Sequence, residues 1–495
     1  MNVIRKKIDG LSLFAIGLIF IGAFIRYYQY DRLGYWYDEL YSITLSSLGF
    51  WDMVSELQTE TNPPLYQITL WIWIQLFGNA PESGRILSLL LSISFLPIVY
   101  LQSKTLLDRY QRVLLLIMCV FSSGFIFYAH ETRSYALLVL LSGLSFLSFS
   151  KLMRNVQERG NIYLFLLFSI LTENTHYFGF LFVHLLWFVY LSQYFLVSYK
   201  NSDWKAFAHQ TFLYFILGIF FSWEFYKLVY IIPKVDNIDW IPEPDLEIYL
   251  HYFSYLFYFF SFKKIPILGI LIVLIVLPFV FIVLGKLSID WRREFQSLVL
   301  TLLLTILFLF ATYLISLQKP IVTSRNLLVL SLPIYFALSL WFSHSLSVFP
   351  KKGFLILIFL LFLLSYLSFS KNFYKGFQKE PWREVVQKAI ELSHQSTLYL
   401  SFGDHRYWNY YLHDIYQKGE VLELSKSQDA CQDLQKDIQK KGIKQVFVFE
   451  SLWDVSKKYK ERTDTQRVCF QQLAKQAKNK EQISFIVMTL WSIEY

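Results

Sequence analysis

Apolar runs long enough to cross a bilayer recur from residue 10 to residue 370 and then stop. A helix needs about 20 mostly apolar residues to cross hydrocarbon, where only helices and closed barrels satisfy every backbone N–H and C=O. The runs are continuous, not the alternating segments of a barrel strand, so a barrel is excluded. With 55% hydrophobic residues and a mean hydropathy of +0.40, the chain reads as an all-α polytopic membrane bundle. The pattern predicts eleven spans, near 10–28, 83–103, 112–128, 135–151, 161–174, 177–198, 207–231, 265–285, 297–316, 326–345 and 354–371.

Orientation follows from where the basic residues fall. Short turns holding Arg5/Lys6/Lys7, Lys104/Arg109/Arg112, Lys151/Arg154/Arg159, Lys200/Lys205, Lys286/Arg292/Arg293 and Lys351/Lys352 alternate with turns that are poor in them. The segment from Arg26 to Glu82 has only Arg26 and Arg32. Positive turns stay cytoplasmic, which puts the amino terminus inside and residues 29–82 outside. An odd number of spans puts residues 372–495 outside as well. The net charge of +9 is thus largely a topological signal, and it does not point to nucleic acid. The first apolar run follows three basic residues like a signal sequence, but with no small-residue cleavage site it reads as a retained span.

Two domains are expected: a transmembrane bundle over 1–371 and an extracytoplasmic α/β domain over 372–495. In the tail, strand-like runs at Thr397–Phe402, Gln445–Phe449 and Ile483–Leu490 alternate with charged helical segments at Arg383–Ser393, Gln428–Lys441 and Val455–Ala477. That alternation suggests a small layer with a mainly parallel sheet. It carries no GxGxxG or P-loop pattern, so it is not read as the catalytic domain. Cys119 lies in an apolar run. Cys431 and Cys469 share the tail and are able to pair, although spacing alone does not decide it.

Two other outward regions are large enough to build on. Leu65 to Phe77 is too short to span and reads as an interfacial helix with Trp71 and Trp73 at headgroup level. Residues 232–264 carry Pro233, Trp240, Pro242 and Pro244 and then a Tyr/Phe-rich stretch. Either a lid or an ordinary interfacial loop accounts for them.

Five constellations fall on the outward face. Asp38 and Glu39 sit between aromatic residues just past the first span, as a general base for a lipid-borne substrate would; alternatively Asp38 caps a helix starting at Glu39. Asn62-Pro63-Pro64-Leu65-Tyr66 fixes a turn, and Arg85 after Glu82 either meets a phosphate or snorkels. His130-Glu131-Thr132-Arg133 crowds three ionisable residues into a tight turn: a phosphate- or acceptor-binding group, or a solvated ion pair. Glu173, His176 and Tyr177 stand where charge near lipid is costly unless it faces a cavity or a partner, and Glu224 raises the same question. His184 reads as a packed histidine. Ser324-Arg325-Asn326 opens the tenth span with a cation at the lipid headgroup level, again a binding group or an anchor.

Taken together and in order, these motifs resemble the GT-C glycosyltransferase superfamily, in the bacterial branch related to protein O-mannosyltransferases and the lipid A aminoarabinose transferase. The resemblance rests on Asp38/Glu39, Asn-Pro-Pro-Leu-Tyr at 62–66, Arg85, Glu131–Arg133–Tyr135, Thr-His-Tyr-Phe-Gly at 175–179 and Ser-Arg-Asn at 324–326. Pro381-Trp382-Arg383-Glu384 also resembles the opening of the outer domain in that branch. It implies an enzyme of the inner (plasma) membrane that takes a monosaccharide from a polyprenyl-phosphate donor, with inversion, to a hydroxyl of a lipid, glycan or protein acceptor. Asp38 would match the catalytic base, with Glu39 beside it. Arg85, Arg133, His176 and Arg325, with Tyr177, would bind substrate and neutralise the leaving phosphate. In some relatives a divalent metal is held at the acidic positions, here Asp38 and Glu131. The sequence departs from the pattern where relatives carry Asp at the second acidic site or Arg-Tyr in place of Arg325-Asn326. The competing class is a transporter or flippase for a lipid-linked sugar or other solute. Such proteins place sites near the midplane in repeated halves, and no internal repeat is visible here.

Overall fold

A helix that is apolar on every face has to be surrounded by others, and Arg109–Phe121 is such a helix. Asp108 caps it, accepting hydrogen bonds from the Tyr110 and Gln111 amides, while Gln111 Oε1 accepts one from the Asp108 amide. From Val113 to Phe121 every side chain is buried. The computed structural model describes residues 9–60, 62–80, 83–154, 159–231, 241–256, 258, 291–345, 351–375, 379–394, 396–402, 405–424, 428–451 and 457–495.

The described helices up to residue 375 are α1 (Gly10–Tyr27), α2 (Tyr37–Ser46), α3 (Phe50–Leu57), α4 (Leu65–Phe77), α5 (Ser83–Gln102), α6 (Arg109–Phe121), α7 (Ser123–Ala129), α8 (Tyr135–Arg154), α9 (Arg159–Glu173), α10 (Tyr177–Asn201), α11 (Trp204–Tyr226), α12 (Leu246–Leu256), α13 (Trp291–Gln318), α14 (Ser331–Ser345) and α15 (Lys351–Lys375). Central α6 packs against α1, α14 and α15. Large apolar side chains such as Phe20, Phe188 and Leu364 are exposed on the outer helix faces, as lipid-facing positions require. Among the described residues seven helices are long and apolar enough to cross a membrane, or eight if the bent pair α6–α7 is one span. Two more of the expected spans are present as shorter helices: α9, and α14 behind a 3₁₀ turn at Asn326–Leu330. The span expected at 265–285 lies outside the described residues.

The break between α6 and α7 bends the pair by 52° and strips the last carbonyls of α6 of their helical partners. Arg26 fills that gap. It is fully buried and donates to the Cys119 carbonyl at 2.9 Å, the Val120 and Gly22 carbonyls at 3.1 Å, and Ser92 Oγ at 2.8 Å. Arg26, inside the expected first span, lies in the last turn of α1, where these acceptors make its burial tolerable.

The carboxyl-terminal sheet has the order β2-β1-β3-β5-β4, from β1 (Thr397–Ser401), β2 (Val421–Glu423), β3 (Gln445–Ser451), β4 (Asn479–Phe485) and β5 (Met488–Glu494). β1 pairs parallel with β2 and β3, while β3–β5 and β5–β4 are antiparallel. The sheet is therefore mixed, not mainly parallel. The run expected as one strand at Ile483–Leu490 is the middle of a hairpin, with Phe485 opposite Met488 and Val487 at φ 54°. A β-branched residue in that conformation is rare, so no glycine or asparagine marks the turn in the sequence. Helices α16 (Trp382–Leu392), α17 (Arg406–Asn409), α18 (Gln428–Lys440) and α19 (Lys457–Lys475) complete the tail. Cys431 and Cys469 form a disulfide between α18 and α19, over a core of Leu400, Val446, Val448, Leu473 and Ile493.

Two compact units result. One holds Met1–Tyr30, Trp51–Thr69 and Arg85–Gly376; the other holds Asp31–Phe50, Leu70–Gly84 and Phe377–Tyr495.

Candidate functional site

In the bundle unit the turn between α7 and α8 carries Glu131 and Arg133. It is closed by a hydrogen bond from the Arg133 amide to the Glu131 carbonyl and held from behind by His130, whose Nε2 lies 2.7 Å from the Arg26 carbonyl oxygen. Glu131 is buried. Tyr135, opening α8, is the hub. Its ring centre lies 5.8 Å from the Arg325 guanidinium carbon, 5.8 Å from the His176 ring and 4.6 Å from the Tyr128 ring. Its hydroxyl is 3.5 Å from Asn326 Oδ1.

His176 caps α10 by accepting a hydrogen bond at Nδ1 from the Phe178 amide. An accepting Nδ1 leaves the ring proton on Nε2 of a neutral imidazole. Burial, and then the nearby Arg325 and Arg133 charges, push the His176 pKa down to about 3. His176 was expected to help neutralise a phosphate. It carries no charge of its own and offers a hydrogen bond instead.

Of the segment first read as lid or loop, residues 241–256 and 258 are described; Pro233 and Trp240 lie outside the described residues, as does Glu82. Its helix α12 is tied down by hydrogen bonds between Ser123 Oγ and the Tyr255 carbonyl (2.9 Å), Tyr252 and Ser331 (3.2 Å), and His251 and Ser324 (3.2 Å). This brings Tyr255 to the same cluster, 5.8 Å from Tyr128 ring to ring. Burial holds the Tyr255 hydroxyl above its ordinary value, a hydrogen bond with Tyr128 works against that, and Glu131 and Arg325 act on it with opposite signs. Tyr128 opens the Tyr128–Tyr135 stretch that the sequence marks at this turn, whereas for Tyr255 the signal is only the Tyr/Phe richness of 249–262.

The structure thus gathers Glu131, Arg133, Tyr135, His176 and Arg325. It does not bring Tyr177 into that group. The Tyr177 hydroxyl donates to Glu224 Oε2 at 3.0 Å, and Glu224 forms a buried ion pair with Lys227 at 3.1 Å. Lys227 also donates to the Leu57 carbonyl. Glu173 lies 3.3 Å from His184 Nε2, and His184 Nδ1 meets the Tyr214 hydroxyl at 2.9 Å, so His184 is a packed, cross-linked histidine. Arg85 is buried, with its guanidinium 3.4 Å from the Tyr30 carbonyl; it does not snorkel.

Asp38 and Glu39 lie in the other unit, in the first turn of α2. Glu39 is fully buried and pairs with Lys379 at 2.9 Å, while its carboxylate also accepts from the Trp36 amide. Asp38 is half-buried. Among the described residues no three His, Cys, Asp or Glu side chains gather as a metal-binding set; of the positions expected to hold one, Asp38 lies in this unit and Glu131 in the bundle unit.

This architecture, a polytopic helical bundle with a small mixed-sheet tail, is the GT-C fold. The chain is similar to ArnT from Cupriavidus metallidurans, solved with undecaprenyl phosphate bound (TM-score 0.58, 9% identity, 98% of each chain covered) and in the apo state (TM-score 0.56, 10% identity, 98% of each). A looser likeness, at TM-score 0.44 and 10% identity over 97% of this chain and 74% of the other, joins it to the oligosaccharyltransferase AglB from Archaeoglobus fulgidus. No protein family and no curated protein matches the sequence.

Proposed function

We propose that the chain is a glycosyltransferase that moves a monosaccharide from a polyprenyl-phosphate donor to an acceptor hydroxyl at the outer face of the membrane. The observation that carries this reading is the packing of Arg325 and His176 against the Tyr135 ring, beside the turn that holds Arg133, in a fold shared with a protein solved with undecaprenyl phosphate. As the bond from the sugar's anomeric carbon to the phosphate oxygen breaks, a phosphodiester monoanion becomes a monoester with a charge of about −1.5 to −2. Two fixed guanidinium groups and an Nε2–H meet that added charge without reorganising. Asp38 is the group proposed to accept the acceptor's proton, and direct displacement of the phosphate by the acceptor oxygen at the anomeric carbon gives inversion. Of the two adjacent acids, Glu39 is held by Lys379 and by the Trp36 amide, and the half-buried Asp38 is assigned the part of base.

Two independent features support the outward placement of the tail. The basic turns assign it outside, and a disulfide between Cys431 and Cys469 belongs to an oxidising compartment. The test is to purify the protein, identify co-purifying lipid by mass spectrometry, and assay a panel of undecaprenyl-phosphate monosaccharides. Polyprenyl phosphate is expected in the wild type. Arg325→Ala should lower kcat by about 10²–10³-fold, and Asp38→Asn should abolish transfer while leaving membrane insertion intact. Near-normal transfer by Asp38→Asn removes this reading.

A further inference from the structure

The proposed base sits at the start of a ten-residue helix, α2, and a short helix holds a carboxylate in place only if something fixes the helix. We infer that the opening residues of the tail, Lys379 to Arg383, are a latch that positions Asp38, with Glu380 as its central residue. This rests on the reading of Asp38 as the base and assigns the tail a part in the reaction.

The latch grips residues 32–39 at successive points. Arg383 donates to the Arg32 carbonyl at 2.9 Å. Gly34 lies so close to Arg383 that a Cβ there would stand 2.8 Å from the Arg383 Cβ, so only glycine lets the strands of chain meet. The Tyr35 amide donates to the Tyr411 hydroxyl at 2.6 Å. One carboxylate oxygen of Glu380 then accepts both the Tyr37 amide, at 3.0 Å, and the Trp382 indole N–H, at 2.8 Å. The Tyr37 amide is among the first N–H groups of α2, which have no partner within the helix, and an anion there also favours the helix dipole. Lys379 completes the grip on Glu39.

This grip is continuous with the tail's core. Trp382 is buried against Trp408, ring centres 4.3 Å apart, and Trp408 stacks on Phe449 of β3 at 4.6 Å. A chain of packed rings therefore runs from the sheet through Trp382 to Glu380, and through one hydrogen bond to the residue before Asp38. Packed aromatic rings of this kind do not deform gradually. The two residues that flank Asp38 are thereby tied to the sheet: Tyr37 through its amide and Glu39 through its carboxylate.

The test uses the full-length protein in detergent, with Glu380→Ala, Glu380→Gln and Asp38→Asn. Glutamine keeps an oxygen that accepts both hydrogen bonds; alanine keeps none. Amide exchange over residues 37–46 should speed up about tenfold in Glu380→Ala, remain near wild type in Glu380→Gln, and stay unchanged in α6 in both. With whichever undecaprenyl-phosphate monosaccharide turns over, Glu380→Ala should lose about 10–100-fold in kcat with donor KM within about twofold, and Glu380→Gln should restore it. Unchanged exchange in Glu380→Ala overturns the latch. A parallel loss of kcat and donor affinity that glutamine does not rescue overturns the positioning role. If Asp38→Asn still transfers sugar, the functional reading fails, while exchange at 37–46 still reports on the latch by itself.

Discussion

Lys379 and Glu39 lie 2.9 Å apart with both side chains buried, joining positions 340 residues apart in the chain. Burying two charges is expensive, and the attraction between them does little more than offset it, so the pair is a poor source of net stability. Its value is asymmetric. Lys379→Met leaves the Glu39 carboxylate buried without its cation and should destabilise the protein by about 3–5 kcal/mol. Lys379→Met combined with Glu39→Met removes both charges and should recover most of that loss. Thermal unfolding of the single and double variants, read as a coupling cycle, checks it; additive losses would mean the two groups do not interact.

His176 makes folding sensitive to acid. The unfolded chain titrates at about 6.5 and the folded one at about 3. Between these values the unfolded chain takes up a proton that the folded chain refuses. The stability this group contributes is therefore complete above about pH 6.5 and is lost as pH falls toward 3. His176→Gln keeps a hydrogen-bonding side chain without the titration. Its stability should fall less steeply than wild type between pH 6.5 and 4, measured by thermal melts across that window. Identical slopes would show that another group governs the acid limb.

Much of the bundle was legible because its signal is redundant: long apolar runs and basic turns each give the span order independently. The site was legible where charge is costly. Glu131, Arg133, His176 and Arg325 stand out because ionisable residues beside long apolar runs need partners. Tyr255 did not stand out, since tyrosine is at home at any membrane interface and the Tyr/Phe stretch has no period. Of the latch, the Pro381–Glu384 segment was marked by resemblance, but its pairing with residues 32–39 could not be read. Glu380 acts through a single carboxylate oxygen on an amide 343 residues away, and nothing local marks such a pairing. His176 shows a different limit: the residue was found, but its charge state depends on which nitrogen faces the Phe178 amide, which only geometry reveals.

Arg26 shows how a broken helix survives inside a bundle. Its guanidinium supplies donors to two α6 carbonyls that the break at Ser122 leaves without helical partners. A buried carbonyl left unpaired costs about 1–3 kcal/mol. Arg26→Met should therefore destabilise the protein by about 3 kcal/mol or more, whereas Ser92→Ala, which removes a single partner of the same guanidinium, should cost about 1 kcal/mol. Arg26→Lys reaches one carbonyl at a time and should fall between them. Detergent melts of the three variants give the ranking, and an Arg26→Met protein as stable as Ser92→Ala would show that water or backbone adjustment satisfies the break.

The Cys431–Cys469 disulfide closes a loop of 38 residues in sequence separation, for which loop-closure entropy gives about 4 kcal/mol of stabilisation. Both half-cystines are buried in the same core that carries β1 and β3, so the bond also pins α18 to α19. Cys431→Ser combined with Cys469→Ser should lower the tail's stability by that order, seen as faster amide exchange in β1 and β3 with α6 unaffected. The same bond reports on sidedness. If the tail faces an oxidising compartment, protein extracted into a thiol-alkylating reagent without reductant should carry no label on either residue, and both should label once reductant is added. Full labelling of Cys431 and Cys469 in freshly opened cells would place the tail on the reducing side. That result would contradict the orientation drawn from the basic turns, and with it the outward position assigned to Asp38.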